Sequence, residues 1–277
     1  MNGSRPASGD GGQTPDSGIM PSMPSAAPAP DSEPDGAEST RALVRGGQLL
    51  AVATLAVAVA RGALAATGGA RWLAALVFGA AALALWRFAA WAQQRLLLSG
   101  RLRAEIARGN AAAALAAAAN EVALALMIAR AVYGDSPRQL PAALVFAALA
   151  LATWAIFVVL FRALTTYADG PEIAGHNHAA AVSYAGAALA LAVIIGHAVD
   201  GPFHGWVPSL RAYLVALGGS LALYPVRQLV VGSLLLGQRP CWRGGELDRA
   251  IGQRQSVGVA AVEAALYLAT AFLAVNA

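Results

Sequence analysis

Residues 102–133 read LRAEIARGNAAAALAAAANEVALALMIARAVY, and the opening of this stretch returns twice further along the chain. Glu105 stands five positions ahead of Asn110, with Gly109 between them and a long run of small apolar residues behind. The same order recurs from residue 171 as PEIAGHNHAAAVSYAGAALALAVIIGHA, where Glu172 precedes Asn177 by five and Gly175 lies between. A weaker third copy, DRAIGQRQSVGVAAVEAALYLATAFLAV, starts at Asp248 and puts Gln253 at the same interval, with Gly252 in the small-residue slot. Each apolar run behind a motif is about 20 residues, long enough to cross a bilayer as a helix.

Working outward, seven such runs are expected at roughly 43–66, 72–97, 106–132, 140–166, 177–198, 209–236 and 255–275. Lipid offers no partners for backbone amides, so these spans must be helical. Breakers separate them, among them Thr67-Gly68-Gly69, Asp169-Gly170-Pro171 and Gln238-Arg239-Pro240. The expected fold is all-α: a polytopic membrane protein of about seven transmembrane helices, built from parallel two-helix repeats. Composition agrees, at 58% hydrophobic and only 12% charged, about half the charge of a soluble domain.

Residues 1–41 differ in kind. They are rich in Pro, Gly, Ser and acidic residues without hydrophobic periodicity, and are expected to be a disordered cytoplasmic tail. Behind it, 42–133 holds half a unit and one full unit, and 134–277 holds two. All nineteen basic residues are Arg. They crowd the connection between spans two and three (Arg95, Arg101, Arg103, Arg108) and that between six and seven (Arg239, Arg243, Arg249, Arg254). The positive-inside bias puts these turns, the motifs and the amino terminus in the cytoplasm, and the carboxyl terminus outside. The first span would then be an outgoing helix without its partner, with Gly47 and Gln48 as its faint echo of the motif.

The repeated EIARGNAAAA and EIAGHNHAAA resemble the signature of the YjfL-like bacterial inner-membrane proteins, a family known as domain of unknown function 350. The resemblance covers about residues 43–275 and implies an integral inner-membrane location. Members of that family typically hold two two-helix units, so the chain is similar to a tandem version lacking its first helix. The association of some members with membrane-stress and band-7 type genes implies a part in envelope maintenance. Asp248 and Gln253 depart from the Glu and Asn of the other copies.

Two tiers of polar residues are candidates for function. At the turns, Asn110 and Asn177 are placed to cap the outgoing helices, and Glu105 and Glu172 to compensate positive helix ends. Deeper, Arg87, Asn120, Glu121, Arg227 and Glu263 fall within spans, where an ionisable group costs about 2.5–3.5 kcal/mol and so pairs or faces inward. The expected arrangement is that Glu121 and Glu263 are neutral or paired with Arg87 and Arg227 as packing locks; a proton or cation path is the alternative. Glu121 lies eleven residues past Asn110 and Glu263 ten past Gln253, which places both at a similar depth.

No phosphate-binding loop, nucleophile elbow, paired cysteine or metal-ligand spacing occurs, so neither an enzyme, a cofactor nor a metal is expected. The basic pI of about 9.7 reflects Arg in short loops rather than a nucleic-acid footprint. The expected partners are the lipid bilayer, further copies of the chain, or membrane-stress proteins. The leading functional expectation is a structural or envelope-maintenance membrane component. The alternative is a small-ion or proton channel or carrier, using the turn carboxylates and the intramembrane Glu residues.

Overall fold

A computed structural model describes residues 34–65, 70–96, 102–134, 136–201, 203–221, 223–237, 239 and 243–276. The long helices are α1 (Pro34–Ala65), α2 (Ala70–Leu96), α4 (Ala111–Ala131), α5 (Leu140–Ala163), α7 (His178–Val199), α8 (Trp206–Leu221) and α11 (Val257–Asn276). Between them stand the short helices α3 (Leu102–Ala107), α6 (Asp169–Ala174), α9 (Leu223–Val226) and α10 (Glu246–Gly252), and a π-helix at Arg227–Leu235. Among the described residues, six helices are long and apolar enough to span a membrane. The seventh crossing is composite: α8, α9 and the π-helix follow one another across residues 206–235. Pro225 contributes no N–H to the ladder just before the π-helix begins, which is where a helix loses its i→i−4 pattern.

The helices form two layers. α1, α4, α7 and α11 make a row in which each packs on the next, and α2, α5 and α8 cover the joints between neighbours. In the middle of the row burial is nearly complete, at 72% of the α4 span and 83% of the α7 span, against 28% for the covering helix α5. Small residues permit this: a Cβ at Gly47 would lie 2.7 Å from the Ala118 Cα, and one at Gly186 would lie 2.4 Å from the Ala264 Cβ. Lipid supplies no hydrophobic drive between helices, so close backbone approach through small side chains is what associates them. The covering helices point larger groups at the row, such as Phe78 and Trp86 from α2 and Trp154 from α5, whose indole donates to the Ala188 carbonyl at 2.9 Å.

Two expectations change. The tail assigned to residues 1–41 ends sooner, because 34–41 are helical; the rest of it, 1–33, lies outside the described residues, as do Cys241 and Trp242. Helix α1 starts at Pro34, suited to a first helical turn, and is held there by Gly36 against Gly109 and by Thr40 against the turn before α4. Arg87, in turn, is exposed rather than interior. The buried stripe of α2 runs through Ala74, Phe78, Ala82, Trp86 and Gln93, and the position after Trp86 is turned off that face by one helical step.

Candidate functional site

The turn tier is built from three short helices, each entering a long one. Asn110 caps α4 by accepting from the Ala113 N–H at 3.1 Å, and Asn177 caps α7 by accepting from the Ala180 N–H at 3.0 Å. The amide ends of the same side chains reach forward to the next unit. Asn110 Nδ2 donates to the carbonyls of Ile173 (2.9 Å) and Ala174 (3.2 Å), and Asn177 Nδ2 to those of Ile251 (3.0 Å) and Gly252 (3.4 Å). An asparagine can do both because its oxygen only accepts and its NH₂ only donates.

The bond series starts one unit earlier than the motif. Thr40 of α1, 1% exposed, places its hydroxyl 3.2 Å from the Ile106 carbonyl, so Ile106, Ile173 and Ile251 each present a carbonyl to the row helix before them. Thr40, rather than Gly47 and Gln48, is therefore the counterpart of the capping asparagines. Sequence reading missed it because α1 runs unbroken through Thr40, with no turn to mark the place.

The third copy is also corrected. Gln253 is exposed and ends α10, whereas Ser256 directly precedes α11, and its carbonyl accepts from Ala260 N–H as those of Asn110 and Asn177 accept from Ala114 and Ala181. The backbone bonds Asn110 to Glu105 and Asn177 to Glu172 are matched by Ser256 to Ala250, one residue longer. The inserted residue moves the register, so Ala250 occupies the place of Glu105 and Glu172. Asp248 faces elsewhere. The one positive-φ residue before each cap is Gly109 (+87°), then His176 (+65°) and Gln255 (+50°), so Gly175 and Gly252 are not there for backbone freedom. Gly252 instead gives room: a Cβ there would meet Tyr167 Cβ at 3.1 Å and its ring at 3.2–3.3 Å.

The turn carboxylates do not share one chamber. Glu105 pairs with Arg108 at 2.7 Å within its own turn, and Glu172 accepts from Asn177 Nδ2 at 2.8 Å. Asp248, fully buried, accepts from Arg227 at 2.5 Å and from the Thr166 N–H (2.7 Å) and hydroxyl (2.9 Å). At the carboxyl ends of α4 and α7, away from the caps, Arg130 and Tyr133 both bind Asp200 and join the two helices. Burial, and then the hydrogen bond to the Asp200 carboxylate, push the Tyr133 phenol above its ordinary value.

The membrane tier lies below the caps and does not repeat. Seven residues past Thr40, Asn110, Asn177 and Ser256 stand Gly47, Ala117, Tyr184 and Glu263, about 10 Å further along their helices. Glu263 pairs with Arg227 as expected. Glu121 sits a turn deeper than Glu263 on its own helix and among the described residues has no ion pair and no hydrogen bond to its Oε2; Gln48, Trp86 and, through charge alone, Arg87 are its polar surroundings. Arg87 lies over the Trp86 ring at 5.7 Å instead. Asn120 accepts from the Tyr184 hydroxyl at 3.0 Å, and Arg162 joins Asp169, Tyr167 (3.2 Å) and Ser183 (3.4 Å). Sequence reading gave Asp169, Thr166 and Tyr167 no role: Thr166 counted as the end of a span that in the structure stops at Ala163, and Tyr167 and Asp169 as a connection. The pair Ile-Ala or Ile-Gly ahead of each cap (Ile106-Ala107, Ile173-Ala174, Ile251-Gly252) was the available signal for the register.

No curated protein and no solved structure matches the chain. Residues 135–277, from the connection before α5 to the end of α11, match the family described as Domain of Unknown Function (DUF350). That match takes in the α5–α6–α7 unit, the composite seventh crossing and the Arg227 cluster, more than half of the chain, which therefore belongs to this family.

Proposed function

We propose that the protein is a structural, non-enzymatic component of the bacterial inner membrane that serves envelope maintenance. The observation that carries this reading is the forward clamp, Thr40 to Ile106, Asn110 to Ile173 and Asn177 to Ile251, which ties one unit to the next in a solid row. A carrier would place its repeated carboxylates around a shared polar cavity; here Glu105, Glu172 and Asp248 are each engaged locally. A groove of about 600 Å³ lies on α1 and α2 and is lined by apolar residues such as Val52, Leu55 and Leu83. The Arg distribution supports turns in the cytoplasm and a carboxyl terminus outside. Further copies or membrane-stress proteins are the partners such a component would hold in the bilayer.

The test has two arms. In liposomes, the wild type and the Glu121→Gln, Glu263→Gln double variant show the same background proton and cation flux; wild-type flux that the double variant loses overturns the reading. In cells lacking the protein, growth under membrane-perturbing stress is impaired and is restored by that double variant. The Asn110→Ala, Asn177→Ala variant does not restore it.

A further inference from the structure

The groove of about 600 Å³ on the hairpin of α1 and α2 opens on the surface, with Leu64, Trp72 and Leu83 exposed along it. Its walls are two facing lines of residues. On α1 the lining positions Val52, Ala56, Ala60 and Leu64 recur every fourth residue, and on α2 Arg71, Ala75, Gly79 and Leu83 do the same. Positions four apart lie on one helix face, so each helix turns a single line toward the groove. Helix contact does not demand the small residue at its centre. A Cβ at Gly79 would meet Val59 at an ordinary 3.7 Å, whereas one at Gly47 or Gly186 would overlap a neighbouring helix.

Length and charge indicate what the groove takes. Val52 to Leu64 and Arg71 to Leu83 each span twelve residues, about 18 Å of helix, close to the roughly 15 Å of hydrocarbon in one leaflet. The groove thus has the reach of one acyl chain standing in a single leaflet. Arg71 and Trp72 stand at the end where α1 gives way to α2, beside the carboxyl end of α4, since Gly62 lies there against Gly134. The Arg71 guanidinium lies over the Trp72 ring at 5.6 Å and has no ion pair among the described residues. Asp200, the described carboxylate at this end, is held by Arg130 and Tyr133, and the connecting residues Ala66-Thr67-Gly68-Gly69 bring no charge. A guanidinium fits two oxygens of a phosphate, and an exposed Trp settles at headgroup level.

We propose that the groove is a binding site for one anionic phospholipid of the leaflet on this side, with an acyl chain laid between α1 and α2 and the phosphate held by Arg71. A second copy of the chain fits the face less well. Two-fold pairing would bring both Arg71 groups to the same level, and no carboxylate lines the groove to separate them. The site stands independently of the structural role proposed above and of the buried carboxylates.

The test is native mass spectrometry of the full chain released from nanodiscs of equal parts phosphatidylethanolamine and phosphatidylglycerol. Wild type carries one phospholipid more than Gly79→Leu, whose added side chain fills the groove. That lipid is phosphatidylglycerol about fivefold more often than phosphatidylethanolamine, the preference one Arg confers near a membrane surface. Arg71→Gln loses the preference. Wild type that holds no more lipid than Gly79→Leu overturns the proposal, as does Arg71→Gln that keeps the preference. A lipid-free wild-type dimer that Gly79→Leu separates into monomers overturns it in favour of a second copy. Should Gly79→Leu fail to yield folded protein, Ala60→Leu fills the same groove and is read against the same outcomes.

Discussion

The turns and the membrane interior of this protein follow different rules. At the turns the same bond is made three times over, to Ile106, Ile173 and Ile251, by Thr40, Asn110 and Asn177. About 10 Å lower, equivalent places hold Gly47, Ala117, Tyr184 and Glu263, which share neither size nor charge. The contrast separates what holds the units together from what individualises them. Backbone carbonyls at a helix end need donors whatever the unit does, so that bond persists. Interior positions need only fill space or find a partner, and each unit has met that need differently.

The comparison can be broken most severely in the interior of the third unit. Arg227→Gln leaves two buried carboxylates without their guanidinium and is expected to cost about 3–5 kcal/mol, read as loss of folded yield or a large fall in Tm in detergent. A Tm within a degree or two of wild type would show that the cluster is hydrated. Next comes the turn tier: Asn177→Ala removes a cap and a clamp together, an expected loss of about 2 kcal/mol. Gln253→Ala is its control, within about 0.5 kcal/mol of wild type if Ser256 holds the capping place in the third copy. Thr40→Val removes a hydroxyl whose one proton lies between the Ala37 carbonyl of its own helix (3.0 Å) and that of Ile106 (3.2 Å), and is expected to cost about 1 kcal/mol, a smaller effect than Asn177→Ala because no cap is lost with it.

The smallest effect expected is at the carboxyl ends of α4 and α7. The Tyr133 phenol titrates higher in the folded protein than in the unfolded chain, so its contribution is complete below the ordinary tyrosine value of about 10 and is lost as pH rises through the folded value. Wild-type stability therefore declines more steeply than that of Tyr133→Phe on alkaline titration. Parallel curves would place Tyr133 outside the Asp200 contact.

Much of the fold was legible in the chain itself. Apolar length located the spans to within a few residues, apart from α1, whose first turns are polar and so carry no hydropathy signal although they are tied down by Thr40. The motif residues Asn110 and Asn177 were legible because a small polar side chain before a long apolar run is what a helix start requires. Register in the third turn was not: counting five residues from Asp248 gives Gln253, and only the backbone bond from Ser256 to Ala250 reveals the inserted position. Depth in the membrane was readable to within a turn, since the cap at Ser256 rather than Gln253 leaves Glu263 a turn short of Glu121, and facing was harder. Arg87 and Arg227 look alike as isolated charges in apolar runs, yet one lies off the buried stripe of its helix and the other faces two acids.

The forward reach of Asn110 and Asn177 also bears on how the protein is made. A chain leaves the ribosome amino end first, so each amide is already in the membrane when the hairpin carrying its carbonyl partner arrives. Every newcomer docks against a waiting donor, and assembly runs in one direction along the row.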